Sequence, residues 1–169
     1  MEEINLTKVE VVVEVGGTGL KPDLEDIRQR AYEIMKDMER YPEYMESVKS
    51  IKILEQDKNR VTTHWEAELD GAPINWVQKV WMEEKSCEMT FEAIEGDFDV
   101  FRGKWCVFEC DKRVYLKLFI EYRLGIPVIE EVLGPILEEK VRNNSKAMLE
   151  AIVKQMQIST SQQTTHNKQ

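Results

Sequence analysis

The sequence predicts an α+β fold in which a curved antiparallel sheet of seven strands surrounds one long C-terminal helix, an arrangement that encloses a cavity where the sheet curls round the helix without filling the gap. From Val48 to Leu124 apolar and polar residues alternate, and short polar breaks interrupt the pattern, which is typical of consecutive strands. From Pro127 to Met156 apolar residues recur at helical spacing, which predicts a helix of roughly eight turns. Because the sheet has an apolar face to cover, we expect this helix to pack against it.

The elements follow one another in a simple order. Alternation predicts a first strand over Lys8–Val15, and the glycines of 16–19 indicate a turn after it. A helical stretch begins at Pro22 and ends at Tyr41, because a residue before proline avoids helical angles, and a short helical piece follows from Pro42 to Met45. The connections between the later strands are too short for parallel crossovers and favour antiparallel neighbours. These strands are predicted at Val48–Gln56, Arg60–Leu69, Ile74–Glu83, Glu88–Ile94, Val100–Cys110 and Arg113–Leu124.

The length of 169 residues fits one domain, which we place at residues 1–156. The remaining residues, 157–169, are mostly Ser, Thr and Gln with few apolar side chains. This composition predicts a disordered tail without a functional role.

Composition argues against several classes of function. The net charge of −9 and the absence of a basic run argue against nucleic-acid binding and against attachment to an anionic membrane. No apolar run reaches the length of about 18 residues that a membrane span requires. The cysteines, Cys87, Cys106 and Cys110, form no CxxC pair and indicate reduced thiols in a cytoplasmic protein. His64 and His166 lack partners at metal-ligand spacing, and no glycine-rich nucleotide motif occurs, so we expect neither a metal nor a cofactor.

Alternation also indicates which side chains face the predicted cavity. If Trp105 points inward, then Phe101 and Glu109 share its face, and the neighbouring strands contribute Ile74, Trp76, Gln78, Val80 and Tyr122. Polar residues on an inward face are the informative ones, since burying them without a partner costs a few kcal/mol. The inward polar candidates are Gln78, Tyr122, Glu109 and, within the apolar stripe of the last helix, Asn144. Each could instead be satisfied structurally.

Four phrases of the sequence resemble the polyketide cyclase/dehydrase family of the START-like, helix-grip superfamily, and together they extend over Lys8 to Gln155. They are Asp37–Met45, Glu68–Gly71 with Trp76 beyond it, Glu95–Phe98 leading to Gly103–Trp105, and the helix segment Asn143–Leu149. The resemblance implies the helix-grip fold. It also implies an aromatase/cyclase that directs aldol cyclisation and dehydration of a poly-β-ketone delivered on an acyl carrier protein, which positioning and hydrogen bonding to an enolate would promote.

The resemblance also assigns expected roles to single residues. Trp76 and Trp105 would be walls that stack on the growing ring, Tyr41 and Met45 would lie near the entrance, and Gln78 would bind a ketone oxygen. The candidates for catalysis are Gln78, Tyr122 and Asn144. The candidates for substrate binding are Tyr41, Met45, Trp65, Ile74, Trp76, Val80, Phe101, Trp105 and Met148.

Two departures from the family pattern keep a second hypothesis open. Val80 occupies the slot of an arginine found in members with aromatase activity, and Val48 occupies the slot of a tyrosine. The alternative is therefore a non-catalytic carrier of a hydrophobic ligand such as a quinone or a lipid, acting as a monomer or a homodimer. Docking of an acidic carrier protein would need a basic patch on this chain. The only candidates for such a patch are Arg28, Arg30, Lys36 and Arg40. The alternative interpretation is that these four residues form a solvated helix face balanced by neighbouring acids.

Overall fold

The computed structural model describes residues 6–15, 23–125 and 127–166, with the side chains of the last helix described over 132–158. The turn predicted at residues 16–19 and the last three residues of the chain lie outside the described residues. The described part contains a seven-stranded sheet in the order β1-β7-β6-β5-β4-β3-β2, in which every neighbouring pair is antiparallel. The predicted architecture is thus confirmed. The strands are β1 Thr7–Val15, β2 Val48–Gln56, β3 Arg60–Leu69, β4 Ala72–Glu83, β5 Glu88–Gly96, β6 Val100–Cys110 and β7 Arg113–Arg123.

Two of the hairpins close with the tightest possible turns. The β3–β4 connection consists of Asp70 and Gly71, with φ of 55° and 87°, and the β6–β7 connection consists of Asp111 and Lys112, with φ of 50° and 63°. Two consecutive residues with positive φ form the turn whose twist matches that of antiparallel strands. The Asp-Gly turn matters for the site, because it brings Asp70 to the end of the sheet nearest the last helix.

The helical segment before β2 is more broken than the sequence predicts. Helix α1 spans Leu24–Lys36, a 3-10 turn follows at Met38–Arg40, and the short helix α2 spans Tyr41–Tyr44. The side chain of Asp23 caps α1 by accepting from the backbone N–H of Glu25. Tyr41 therefore begins a helix rather than ending one, and Pro42 lies in the first turn, where its missing N–H leaves no helical hydrogen bond unmade.

The long helix α3 spans Pro127–His166 and continues past Met156, where the sequence predicted its end. Residues 157–166 contain neither glycine nor proline, so nothing in their backbone chemistry stops a helix that packing has already started. The structure assigns residues 157–166 to α3, and the disordered tail that the sequence predicts at 157–169 stays a prediction. The boundary of the single domain at residue 156 stays a prediction.

Helix α3 packs against β1, β7 and α1. Its buried face carries Val141, Met148, Leu149, Ile152 and Met156. The earlier turns are different, since Leu133 and Ile136, both expected in the apolar stripe, are exposed. The described length of α3 therefore contacts the sheet from about Val141 onward.

Candidate functional site

A cavity of about 70 Å³ lies under α3, on the side of the sheet formed by β3 to β7. Sites for drug-sized ligands usually measure about 300–1,000 Å³, so this interior has room for a few water molecules or for part of a ligand. A larger ligand has to displace side chains that now fill the space. The lining comprises Ser47, Val48, Trp65, Ala67, Glu68, Leu69, Ile74, Trp76, Gln78, Phe91, Phe98, Phe101, Trp105, Leu118, Ile120, Val141, Asn144, Ser145 and Met148.

One wall of the cavity is a pair of parallel indole rings. Trp65 on β3 and Trp76 on β4 are directly opposite each other in the antiparallel register, and their ring centroids are 5.3 Å apart with an interplanar angle of 19°. Phe101 of β6 is tilted against Trp76 at 5.2 Å between centroids, and Phe98 stacks on Phe101 at 4.6 Å. The cavity is therefore bounded by aromatic faces, which suit a flat apolar molecule.

Each indole of this wall donates its N–H to the residue two positions away on its own strand. Trp65 Nε1 donates to Thr63 Oγ1 at 2.9 Å, and Trp76 Nε1 donates to Gln78 Oε1 at 2.8 Å. Thr63 and Gln78 are in turn opposite each other in the register, and both are buried. Of the two acceptors, only Gln78 lines the cavity, where it and Glu68 at the outer end of β3 are the polar side chains that the described strands present.

The cavity opens toward solvent between α3 and the ends of β2 and β3. Ser47, Glu68 and Asn144 line the cavity and also two outer clefts of about 460 and 450 Å³. An ion pair between Asp70 of the β3–β4 turn and Lys140 of α3 crosses the gap between turn and helix, and Asp70 lines both clefts. We call this opening, formed by Ser47, Glu68, Asp70, Lys140 and Asn144, the mouth.

The structure brings eight of the predicted site residues onto the cavity wall. They are Trp65, Ile74, Trp76, Gln78, Phe101, Trp105, Asn144 and Met148. Asn144, half-buried at the mouth, donates weakly from Nδ2 to the sulfur of Met148 at 3.8 Å. Their roles toward a ligand stay predictions.

The other four predicted site residues lie off the wall. Tyr41 is fully buried, with its ring 5.9 Å from those of Trp65 and Trp105, and its hydroxyl donates to the carbonyl of Met35. Burial raises the pKa of the Tyr41 phenol well above its ordinary value. Tyr41 thus supports the aromatic wall from behind instead of lying near an entrance.

Met45, expected near the entrance as well, lines the larger of the two outer clefts at the mouth. Val80 and Tyr122 are buried but do not line the cavity. Val80 lies one inward position beyond Gln78 on β4, and the ring of Tyr122 packs edge-on against the ring of Phe98, which does line the cavity. Glu109 lies on the same face of β6 as Trp105, opposite the buried Val114, but it is exposed at the end of the strand and does not line the cavity.

Phe98 is the lining residue that strand alternation missed. It lies in the connection between β5 and β6, where a period of two says nothing about side-chain direction. Hydrogen bonds hold this connection on both sides. Asn75 N donates to Asp97 Oδ2 at 2.7 Å, Asp97 N donates to Asn75 O at 3.0 Å, and Asp99 N donates to Arg123 O at 2.9 Å. Phe98 is therefore a fixed part of the wall.

The basic residues considered for carrier-protein docking have partners of their own. Arg28 pairs with Glu25, Lys36 with both Glu33 and Glu84, and Arg40 with Glu43. Arg30 donates to the carbonyl of Met156. Three of these four basic side chains are thus paired with neighbouring acids, in agreement with the alternative interpretation of the sequence.

The described residues also show how the sequence expectations about metal ligands, cysteines and membrane spans compare with the structure. Within 6–15, 23–125 and 127–166, no group of three His, Cys, Asp or Glu side chains converges as a metal site would require. The three cysteines are unpaired, and burial raises the pKa of the Cys87 and Cys106 thiols. No helix in these ranges is long and apolar enough to cross a bilayer.

The sequence of this chain matches the model of a protein family. The model of the family described as polyketide cyclase / dehydrase and lipid transport matches residues 28–149, well over half of the chain. The chain belongs to this family. No curated protein sequence matches it.

Solved structures of other proteins share the fold at low sequence identity. The protein TTHA0849 from Thermus thermophilus superposes with a TM-score of 0.79 at 20% identity, over 90% of this chain and 99% of the other. The Zhui aromatase/cyclase from Streptomyces sp. R1128 superposes with a TM-score of 0.75 at 18% identity, over 89% of this chain and 93% of the other. A START superfamily protein from Mycobacterium smegmatis superposes with a TM-score of 0.59 at 16% identity, over 85% of this chain and 97% of the other. These likenesses establish the helix-grip fold of this polyketide cyclase family member and leave its activity open.

Proposed function

We propose that this member of the polyketide cyclase family binds a flat hydrophobic molecule under α3. The observation that carries the proposal is the stacked pair Trp65–Trp76, which forms an extended aromatic face on a cavity that opens at the mouth. Aromatic walls with a few well-placed polar groups are the usual composition of a small-molecule site. Since the cavity measures about 70 Å³, binding requires side chains of the wall to move outward or the mouth to widen.

A second candidate is cyclisation of a poly-β-ketone, and Gln78 is the observation that favours it. Its amide lies against the indole wall, where it could donate a hydrogen bond to a ketone oxygen that becomes an enolate. The structural likeness to an aromatase/cyclase supports this candidate too. Of the described side chains on the cavity wall, only Glu68 ionises, and it lies at the mouth beside Lys49. The binding function therefore comes first, and an acyl carrier protein as partner stays part of the second candidate.

Ligand binding can be tested with a variant that fills the cavity. Ala67 lines the cavity, whereas Thr90 is exposed on β5, so Ala67→Phe and its matched control Thr90→Phe add the same ring inside and outside. We expect the wild type and Thr90→Phe to bind flat aromatics, quinones or lipids with micromolar affinity in isothermal titration calorimetry, and Ala67→Phe to lose at least tenfold in affinity.

Two results would contradict the binding proposal. One is that no member of a broad set of quinones, lipids and flat aromatics binds the wild type. The other is that Ala67→Phe, shown to be folded by circular dichroism, binds as well as Thr90→Phe does.

Cyclisation is tested by the products of a reconstituted minimal polyketide synthase with and without the protein. A cyclase shifts shunt products to one cyclised aromatic, and Gln78→Leu abolishes that shift. An unchanged product profile across several chain lengths would remove the second candidate and leave the binding function in place.

A further inference from the structure

The hydrogen bond between Trp76 and Gln78 fixes which end of the Gln78 amide points where. An indole N–H can only donate, so the atom that it contacts at 2.8 Å must be the amide oxygen. A glutamine side chain without such a neighbour presents its oxygen or its nitrogen with nearly equal ease. Both residues are buried, at 8% and 2% exposure, so water does not compete for this bond.

With its oxygen held by Trp76, the Gln78 side chain has its two N–H donors left. Nε2 makes no hydrogen bond to any of the described residues, and Gln78 lines the cavity. Nε2 is not among the fully buried side-chain atoms that lack a partner, so it keeps accessible surface, and an acceptor oxygen of a ligand in the cavity can receive its hydrogen bond. The stacked partner Trp65 does not compete for the amide, because its own N–H goes to Thr63.

Resting on the proposed binding function, we propose that Trp76 is a positioning residue for Gln78. Its indole N–H locks the amide with the donors toward the cavity, so the site selects flat ligands that present a carbonyl or a similar acceptor. A ligand of the same shape that presents a donor meets the N–H donors of Gln78 instead of an acceptor. Asn144 provides a contrast at the mouth, since its amide contacts only a methionine sulfur and is not locked in this way.

Three tricyclic probes of nearly equal shape test this selectivity. 9-Fluorenone presents a carbonyl, carbazole presents an N–H at the corresponding position, and fluorene presents neither. We expect the wild type to bind fluorenone about tenfold more tightly than fluorene, the gain of one buried hydrogen bond, and carbazole no more tightly than fluorene. The infrared carbonyl stretch of bound fluorenone moves to lower wavenumber, as hydrogen bonding to the oxygen requires.

The variant Trp76→Phe keeps an aromatic ring and removes the N–H. The amide is then free to flip, so the preference for fluorenone over carbazole falls to about threefold or less and the carbonyl band broadens or returns upward. Trp65→Phe is the matched control, since it removes the other N–H of the wall while leaving Gln78 locked. Trp65→Phe is expected to weaken the binding of all three probes by the same factor, so the ratios of their dissociation constants stay as in the wild type.

The outcomes separate failure of the lock from failure of the binding function. Equal binding of the three probes to the wild type, or an unchanged preference in Trp76→Phe, overturns the lock and leaves the binding function standing. Binding of none of the three probes overturns the lock, and the binding function falls with it only if the broad set of quinones, lipids and flat aromatics also fails to bind. If Trp76→Phe does not fold, Gln78→Met serves instead: it removes the donors at similar volume, and fluorenone must then bind no more tightly than fluorene, a retained preference again overturning the proposal.

Discussion

At the scale of a single residue, Gly103 of β6 shows how closely the wall is fitted together. A Cβ at this position would lie 1.9 Å from the carbonyl oxygen of Phe119 and 2.8 Å from the ring of Phe91, which lines the cavity. We expect Gly103→Ala to lower the free energy of unfolding by about 3 kcal/mol, because backbone as well as ring must shift. Urea denaturation followed by tryptophan fluorescence measures this change.

Gly134 of α3 supplies the matched control for that substitution. A Cβ there meets nothing within 4 Å, and alanine favours a helix over glycine, so Gly134→Ala should leave stability unchanged or raise it by up to about 1 kcal/mol. Equal effects of the two substitutions would mean that the close approach at Gly103 does not constrain the sheet.

The same scale shows what the sequence could predict about the site. Gln78 was found because a polar residue at an inward strand position stands out against apolar neighbours, and the structure buries it on the cavity wall. Alternation could not distinguish Val80 from Gln78, since both are inward, and only the packing of the whole sheet decides which one reaches the cavity. The side-chain contact of Trp76 with Gln78 is likewise a product of rotamers that no pattern encodes.

Among the elements, strands were predictable to a residue or two and helix ends were not. The bounds predicted for β2, β3 and β6 match those observed, because a polar turn stops the alternation on at least one side of each. The helical segment before β2 instead divides into α1, a 3-10 turn and α2, and α3 runs on to His166. Helix ends depend on tertiary packing, which local propensity describes poorly.

The ion pair between Asp70 and Lys140 links two elements across the mouth, and it should influence how fast a ligand enters. An exposed pair of this kind contributes about 0–1 kcal/mol to stability, so Lys140→Met is expected to change the free energy of unfolding by less than about 1 kcal/mol. If the pair holds the turn against α3, the variant increases both the association and dissociation rates of a bound aromatic several-fold in stopped-flow fluorescence.

Arg113→Met is the control for this experiment, because Arg113 pairs with Glu14 between β7 and β1, away from the mouth residues. Added salt should narrow the difference between the wild type and Lys140→Met, as screening weakens the pair. Identical ligand kinetics in the wild type and in Lys140→Met at low salt would show that the pair does not restrict entry.

Over the whole molecule, the architecture followed from the sequence while the cavity volume did not. Seven strands and one long helix follow from period and turn chemistry, and the order from β2 to β7 follows from short connections, whereas the pairing of β1 with β7 does not. The volume under α3 depends on how the aromatic side chains from β3, β4, β6 and the β5–β6 connection fill the same space. A strand pattern that predicts inward aromatics therefore predicts a wall but cannot say how much room is left between its rings.

The whole fold also carries a set of buried weak acids, which predicts loss of stability at alkaline pH. Burial raises the pKa of Tyr32 to about 12, raises that of Tyr41 well above its ordinary value of 10.0, and raises those of the Cys87 and Cys106 thiols above 9.0. The unfolded chain releases these protons at lower pH than the folded chain does. The stabilisation is therefore fully present below about pH 9 and is lost as the pH rises through the raised pKa values of the folded protein.

The urea midpoint should be constant from about pH 7 to 8.5 and fall steadily from about pH 9 to 11, with phenolate absorbance from the buried tyrosines appearing only as the protein unfolds. In Cys106→Ala the early part of this fall, just above about pH 9, should be shallower. A midpoint that does not change up to about pH 11 would show that these groups ionise equally well in the folded interior.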